Sequence, residues 1–218
     1  MLRAKQQEIL DQGGVPDDLV DRTYRDIAGI HHWLGDIRAI VRAIARDPLP
    51  VRRILDIGCG TGLVAQEVGR RLRVEVVGAE LNPHPAIAAP VLIVQADVLN
   101  APLPSADVAF AMYLCHHFSE TEFTELIRRV GRFCRRFIVL DLVRHPLPLA
   151  LFQLFVTPFL SPIAAEDGQR SIRRSFTPPE IGRVTAEALA GGVGSFQLSV
   201  APFYIRQVVD ITYSRAAQ

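Results

Sequence analysis

The spacing of hydrophobic positions divides the chain near residue 50. Over residues 1–47 apolar side chains recur at steps of three and four, as at Ile37, Ile40 and Ile44, which predicts amphipathic helices. Prolines 48 and 50 end this region, because proline disfavours the helical conformation of the residue before it. We therefore predict an N-terminal helical cap over 1–47 and a main domain over 48–218.

From Val51 onward, short apolar runs alternate with helical patterns. Near-continuous apolar runs are typical of strands that are covered on both faces, and their alternation with helices predicts a parallel sheet. The predicted strands are Arg53–Ile57, Val74–Ala79, Val91–Gln95, Asp107–Met112 and Arg136–Leu142. The predicted helices are Gly62–Leu72 and Ser119–Val130, the second with Ser119 as its N-cap and Glu122 at the capping-box position.

The C-terminal part of the chain predicts one helix and two strands. Thr177 is the expected N-cap of a helix that begins at Pro178 and runs to about Ala190, since proline is favoured at the first helical position. The two strands that follow are predicted at Phe196–Val200 and Phe203–Tyr213.

The segment Pro146–Ala165 is the most apolar part of the chain. Its length is close to the roughly 20 apolar residues that a membrane-spanning helix needs. Its four prolines oppose a continuous helix. We interpret it as a buried or pocket-covering segment, with peripheral membrane contact as the alternative.

A glycine-rich loop follows the first predicted strand in the run Ile54-Leu55-Asp56-Ile57-Gly58-Cys59-Gly60-Thr61-Gly62. Glycines let the backbone turn sharply and approach a ligand, and open α/β sheets bind ligands at this edge. A dinucleotide fingerprint would have Gly or Ala where Leu63 stands. Asp56 would be unfavourable beside a pyrophosphate, whereas it suits a ligand that carries an amino group and a sulfonium cation.

Two further acids follow predicted strands. Glu80 ends the second strand, where a carboxylate can accept both hydroxyls of a ribose. Asp97 comes just after the third strand and is placed to accept from an adenine amino group. Taken singly, Glu80 could be a solvated strand end and Asp97 a cap or turn residue. The prolines of Asn82-Pro83-His84-Pro85 predict a short or irregular crossover helix.

This constellation resembles the Rossmann-like, class I S-adenosylmethionine-dependent methyltransferases of small-molecule type, over roughly residues 50–142. The resemblance implies an α/β fold with a mostly parallel seven-stranded sheet in the order 3-2-1-4-5-7-6, and S-adenosylmethionine as the cofactor. It also implies an antiparallel last strand and a lid insertion at about 145–175. The implied cofactor-binding residues are Asp56, Gly58, Cys59, Gly60, Glu80, Leu81, Asp97, Val98 and Met112.

The segment after the fourth strand, 112–118, resembles a loop of Leu-His-His-Leu character in that family. His116 and His117 are the candidates for a general base, because histidine titrates near neutral pH, and Tyr113 could line the acceptor pocket. Structural roles are the alternative for all three. We predict no metal, since adjacent histidines rarely aim at one ion.

The apolar lid favours a small, largely apolar acceptor, such as a phenolic, quinone or polyketide-like compound that is methylated on oxygen or carbon. Arg173 and Arg174 could bind a substrate carboxylate or enolate, although surface positions or ion pairs with Asp and Glu are the favoured interpretation.

Composition and charge bear on the class of partner and on the compartment, and they leave alternative functions open. The formal net charge of +1 and the lack of a basic stripe oppose a nucleic-acid partner. Three scattered cysteines, Cys59, Cys115 and Cys134, suit a reducing cytoplasm, and a monomer and a homodimer are equally allowed. The alternatives are a cofactor-binding regulatory or partner protein without turnover, and a dinucleotide oxidoreductase, which Leu63 and Asp56 oppose.

Overall fold

A seven-stranded sheet forms the centre of the protein, for which the computed structural model describes residues 1–83 and 91–214. The strands are β1 (Arg53–Ile57), β2 (Glu75–Glu80), β3 (Leu92–Gln95), β4 (Val108–Met112), β5 (Arg136–Asp141), β6 (Gly194–Val200) and β7 (Gln207–Tyr213). Their order is β3-β2-β1-β4-β5-β7-β6. Strands β1 to β5 are parallel, whereas β7 runs antiparallel to β5 and β6. The predicted fold class and strand order are confirmed.

Helices cover both faces of the sheet. They are α1 (Ile9–Gln12), α2 (Asp17–Leu34), α3 (Asp36–Ala45), α4 (Leu63–Leu72), α5 (Glu120–Val130), α6 (Pro146–Phe155), α7 (Pro162–Arg174) and α8 (Pro178–Ala188). On one face Leu55 joins Phe123 of α5 and Ile181 of α8, while on the other Ile54 joins Ile40 of α3. Because both faces are buried, the strands are near-continuous apolar runs.

The carboxyl ends of the parallel strands meet at one edge. Ile57 pairs with Ala79, and Glu80 pairs with Gln95. Met112 pairs with Leu140, the residue before Asp141. The strand register therefore gathers the side chains at the ends of five strands along a single line, which is where open α/β sheets bind ligands.

Two predicted segments differ from the structure. Residues 1–8 are not helical, because backbone groups in this segment form hydrogen bonds with distant parts of the chain. For example, the Ala4 amide donates to the Arg173 carbonyl at 3.0 Å. Residues 203–206 are not part of a strand, because Phe203 and Tyr204 have φ of 59° and 57°, which breaks the pleat. The irregular crossover predicted at Asn82-Pro83-His84-Pro85 extends outside the described residues.

The predicted lid is two helices. Pro158 and Pro162 interrupt the segment, as expected, and α7 packs against α1, α2 and the turn that carries His116 and His117. Helix α6 packs outside α7, with the ring of Phe152 against Gly168. The apolar side chains at 154, 155 and 159 are 67%, 56% and 83% exposed, and the lid stays a prediction. Within residues 1–83 and 91–214, no helix is both long and apolar enough to cross a membrane.

Replacement of Ser119 by alanine tests the predicted capping box, which the structure confirms. Ser119 Oγ accepts from the Glu122 amide at 3.2 Å, and the Glu122 carboxylate accepts from the Ser119 amide at 2.8 Å. Loss of an N-cap costs about 1 kcal/mol, which lowers the Tm by about 2–4 °C in a domain of this size. We expect this shift by scanning calorimetry for Ser119→Ala. The exposed Ser105→Ala is the control, and an equal shift in both would show that the cap contributes nothing.

Candidate active site

The glycine-rich loop turns sharply at the end of β1. Gly58 and Gly60 have φ of 69° and 52°, a left-handed conformation that glycine adopts without a Cβ penalty. The Gly58 amide donates to the Ala79 carbonyl at 2.8 Å, which fastens the turn to β2. A Cβ on Gly58 would lie 2.7 Å from Leu114, whereas at Gly60 the nearest described atom, on the Tyr24 ring, is 3.8 Å away. The open side of the loop is therefore at Gly60.

Asp56 and Glu80 bring two carboxyl groups to this loop. Asp56 is 2% exposed, and its Oδ2 has no hydrogen-bond partner among the described residues. Burial, with a contribution from Glu80, raises the pKa of Asp56 well above its usual value. Glu80 accepts from the Gly60 amide at 2.8 Å and from the Asn82 amide at 3.2 Å. A buried carboxyl oxygen without a partner, beside a second acid, favours a ligand that is cationic or donates hydrogen bonds.

Cys59 contributes to this part of the site through its backbone. Its side chain is buried and fills the space above Gly78 in β2. Burial, with contributions from Asp56 and Glu80, raises the pKa of the Cys59 thiol. The thiol is therefore neutral and unsuited to nucleophilic chemistry.

The remaining cofactor candidates lie along the same edge with different surroundings. Asp97 accepts from the Leu99 amide at 2.9 Å and from Asn100 Nδ2 at 2.6 Å, so it stabilises its own turn. Val98 is buried beside it, and the Ala96 amide donates to the Glu80 carbonyl, which holds the turn next to β2. The other two candidates differ from each other: Leu81 is 54% exposed, and Met112 packs against the core under α3 and α4.

A short 3-10 turn, Cys115–His117, follows β4 and carries the two histidines. His116 Nδ1 lies 2.7 Å from Asp141 Oδ1, and the His116 amide donates to Asp141 Oδ2 at 2.8 Å. His116 Nε2 lies 3.2 Å from Glu8 Oε1. Burial lowers the pKa of His116, but Asp141 and then Glu8 outweigh burial and raise the pKa to about 10. His116 is therefore an imidazolium at neutral pH, and this geometry does not favour it as a base.

His117 has a different environment. Its Nδ1 lies 3.1 Å from Asp11 Oδ2, and its Nε2 lies 3.6 Å from Glu8 Oε1, beyond hydrogen-bond distance. Its side chain is 25% exposed, whereas that of His116 is 2% exposed. The geometry therefore leaves one ring nitrogen of His117 available to a ligand.

Tyr113 lies against the N-terminal helices. Its ring stacks on that of His31 with 4.6 Å between centroids, and its backbone has φ of 54°. Burial, with a contribution from Asp36, raises the pKa of Tyr113 well above its usual value. It is a neutral phenol in the packing against α2 and α3, and the packing interpretation is favoured over contact with an acceptor.

Sequence interpretation missed three acids at this site. Asp141 ends β5, and the rule that strand ends share one edge could have found it. Glu8 and Asp11 gave no such signal, because they are 108 and 106 residues away from the histidines that they contact. They belong to the N-terminal segment, residues 1–12, which crosses the carboxyl edge and is held by α7, where Asp167 accepts from the Ile9 and Leu10 amides.

Arg174 lies among the same groups. Its Nη1 is 3.9 Å from Glu8 Oε1 and 3.7 Å from Asp11 Oδ2, as the ion-pair interpretation expects. The ligand atoms of Glu8, His116 and His117 also lie within 4.8 Å of one another. A fixed guanidinium this close opposes a divalent cation between them, so we interpret the cluster as ion pairs and hydrogen bonds.

The Asp56→Asn variant tests whether this carboxyl is held against ionisation. An acid whose pKa is raised on folding stabilises the folded state below its unfolded pKa, and that contribution is lost as the pH rises through the folded pKa. We expect the Tm of Asp56→Asn to exceed that of the unmodified protein at about pH 8, and the difference to shrink towards about pH 4. Scanning fluorimetry measures both. The exposed Glu125→Gln serves as control, and a gap independent of pH would contradict the burial argument.

Known proteins share this architecture. Residues 54–136 match a family model described as a methyltransferase domain. The plantazolicin methyltransferase BpumL, solved with a monoazolic desmethylPZN analog and SAH, superposes with a TM-score of 0.72 at 11% identity, over 91% of this chain and 90% of its own. Human N-acetylserotonin methyltransferase, solved with SAM, gives 0.64 at 17% identity, over 96% of this chain and 63% of its own. No curated protein sequence matches the chain.

At these identities the solved structures establish the fold, and this chain has the Rossmann-like fold of those methyltransferases. The match to the methyltransferase-domain model spans residues 54–136, which include the glycine-rich loop and strands β2 to β4.

Proposed function

We propose that this protein transfers a methyl group from S-adenosylmethionine to a small, largely apolar acceptor at the carboxyl edge of its sheet. The observation that carries the proposal is the meeting of Asp56, Gly60 and Glu80, with a buried Asp56 oxygen that lacks a partner among the described residues. An amino group and a sulfonium cation are the ligand chemistry that such an edge favours.

Each predicted cofactor residue has a place in this proposal. Asp56 with the backbone of residues 58–60 would hold the methionine end, Glu80 and Leu81 the ribose, and Asp97 and Val98 the adenine, with Met112 alongside. Each oxygen of a carboxylate has two acceptor sites. Glu80 can therefore accept ribose hydroxyls while it keeps the Gly60 and Asn82 amides. Asp97 retains the same capacity beside its turn.

The protein contributes alignment and exclusion of water. Bound S-adenosylmethionine supplies a methyl group on a sulfonium, and its departure leaves a neutral thioether. The barrier then depends on an in-line approach of the acceptor and on a dry site. Helix α7 and the N-terminal segment lie over the turn that carries His116 and His117, and they are the elements that would exclude water.

His117 is the residue that we assign to proton removal where the acceptor is a phenol. Asp11 contacts its Nδ1 and so orients the ring, while Nε2 lies 3.6 Å from Glu8 Oε1, beyond hydrogen-bond distance. The proton lost by the acceptor would pass to Nε2 as the carbon–oxygen bond forms.

Two observations support the acceptor class and the setting. BpumL is solved with a desmethylPZN analog, and the human relative is named for N-acetylserotonin. Cys59, Cys115 and Cys134 are free and buried, which suits a reducing cytoplasm.

Replacement of Glu80 by glutamine tests the cofactor assignment. Hydrogen bonds to a charged acceptor contribute about 1.5–3 kcal/mol, so Glu80→Gln should weaken S-adenosylhomocysteine binding by about 10- to 100-fold in calorimetry. Glu75→Gln is the matched control, because Glu75 begins the same strand and pairs with Arg53. Equal affinities for the two variants would contradict the ribose assignment.

The unmodified protein and the Glu80→Gln variant also test whether the protein transfers a methyl group. Incubation with S-adenosylmethionine and a panel of phenols, quinones and polyketide-type compounds should form S-adenosylhomocysteine, with Glu80→Gln as the low-activity background. Tight cofactor binding without transfer to any member of the panel would favour the alternative, a cofactor-binding regulatory protein.

The His117→Ala variant separates chemistry from binding. General-base catalysis contributes about 10²- to 10⁴-fold, so kcat with a phenolic acceptor should fall by at least about 100-fold. The dissociation constant of S-adenosylhomocysteine should stay within about twofold, because Asp56 and Glu80 are intact. His32→Ala, an exposed histidine on α2, is the control. An unchanged kcat in His117→Ala would assign His117 a structural role.

A further inference from the structure

The carboxylate of Glu8 lies among donors that come from two other parts of the chain, α7 and the turn after β4. Ser171 Oγ donates to Glu8 Oε1 at 2.6 Å, and His116 Nε2 lies 3.2 Å from the same oxygen. His117 Nε2 is 3.6 Å and Arg174 Nη1 is 3.9 Å from it. One carboxylate oxygen is thus surrounded by a hydroxyl, two imidazoles and a guanidinium.

Arg174 provides an independent sign that these donors suit a ligand. Its side chain is nine-tenths buried, and its Nη1 has no hydrogen-bond partner among the described residues. Glu8 and Asp11 attract this group, but at 3.9 and 3.7 Å neither accepts a hydrogen bond from it. Because an unsatisfied buried donor is unfavourable, the position favours an acceptor that reaches closer than Glu8 does.

The surroundings stabilise a negative charge at this point. Burial raises the pKa of Glu8, but the His116 contact, with help from His117 and Ser171, outweighs burial and lowers the pKa to about 2. Asp141 holds His116 in its charged form from the other side of the ring. Arg174 carries a permanent charge, and Asp141 is the largest of the influences that raise the pKa of His116, ahead of Glu8.

Glu8 itself belongs to a segment that is almost without helix or strand. It precedes the single turn of α1, and residues 1–8 carry no regular secondary structure. Arg3 and the Ile9 and Leu10 amides attach this segment to Arg174, Phe118 and Asp167 through hydrogen bonds, most of which involve backbone groups. Such a segment can leave the sheet edge without unfolding a strand or a long helix.

We propose that Ser171, His116 and Arg174 form a subsite for a carboxylate of the methyl acceptor, and that Glu8 occupies it until the acceptor displaces the N-terminal segment. The acceptor class is then an apolar molecule that bears a carboxylate. This inference rests on the proposed methyltransferase function, because it assigns the anchoring group of that reaction's acceptor.

Benzoate and its neutral isostere benzamide test the subsite by calorimetry on the full chain. In Glu8→Ala, benzoate should bind at least about tenfold tighter than to the unmodified protein, because an intramolecular competitor has been removed. Benzamide should gain less than about twofold, since it has no charge for Arg174 to pair with. The matched control is Glu166→Ala, an acid on α7 that pairs with Arg170.

A second variant identifies the anchoring cation. Glu8→Ala combined with Arg174→Lys should lose about tenfold in benzoate affinity, because lysine cannot form the bidentate contact of arginine. Equal binding of benzoate and benzamide to Glu8→Ala, or a gain in Glu166→Ala as large as that in Glu8→Ala, would overturn the subsite. Undiminished binding of benzoate to the double variant with Glu8→Ala and Arg174→Lys would also overturn the subsite. S-adenosylhomocysteine affinity is measured in parallel, so a failure of the methyltransferase proposal is distinguished from a failure of this one.

Discussion

Negative charge gathered at the carboxyl edge of a parallel sheet is the constraint on which the site depends. Asp56, Glu80 and Asp141 reach this edge because β1, β2 and β5 run in the same direction. Their surroundings differ: Asp141 contacts His116, Glu80 accepts from two backbone amides, and burial raises the pKa of Asp56. Only the first of these acids faces a full positive charge. The Asp56 and Glu80 half of the edge therefore still favours a cation, while the Asp141 half is already neutralised.

The neutralised half extends outward as a chain of alternating charges. Asp141 contacts His116, His116 contacts Glu8, and Arg174 lies beside Glu8 and Asp11. An inner acid thus pairs with a cation, and that cation contacts a second anion on its other side. The N-terminal segment supplies this anion, which explains how eight residues without regular structure remain ordered over the edge.

The sequence could predict the structural features that depend on residues close together in the chain. The β1 loop, the acid that ends β2, the capping box at Ser119 and the N-cap at Thr177 are each set by residues only a few positions apart. The contacts of Glu8 and Asp11 could not be predicted, because the two residues share no periodicity with the histidines more than 100 positions away. The order in which the two lid helices pack could not be predicted for a related reason. Apolar side chains on α6 do not reveal that α7, with small residues such as Ala164 and Gly168, takes the inner position.

The two histidines differ in their electrostatic surroundings, which the sequence alone could not predict. They are adjacent and identical in type, yet a strand-borne acid faces one ring while the N-terminal segment faces the other. Asp141, buried in β5, is the largest of the influences that raise the pKa of His116, ahead of Glu8. His117, tied to Asp11 on the surface side, has one nitrogen left for exchange with a ligand. In the proposed reaction, the His116 cation would stabilise the negative charge that forms on the acceptor when its proton passes to His117.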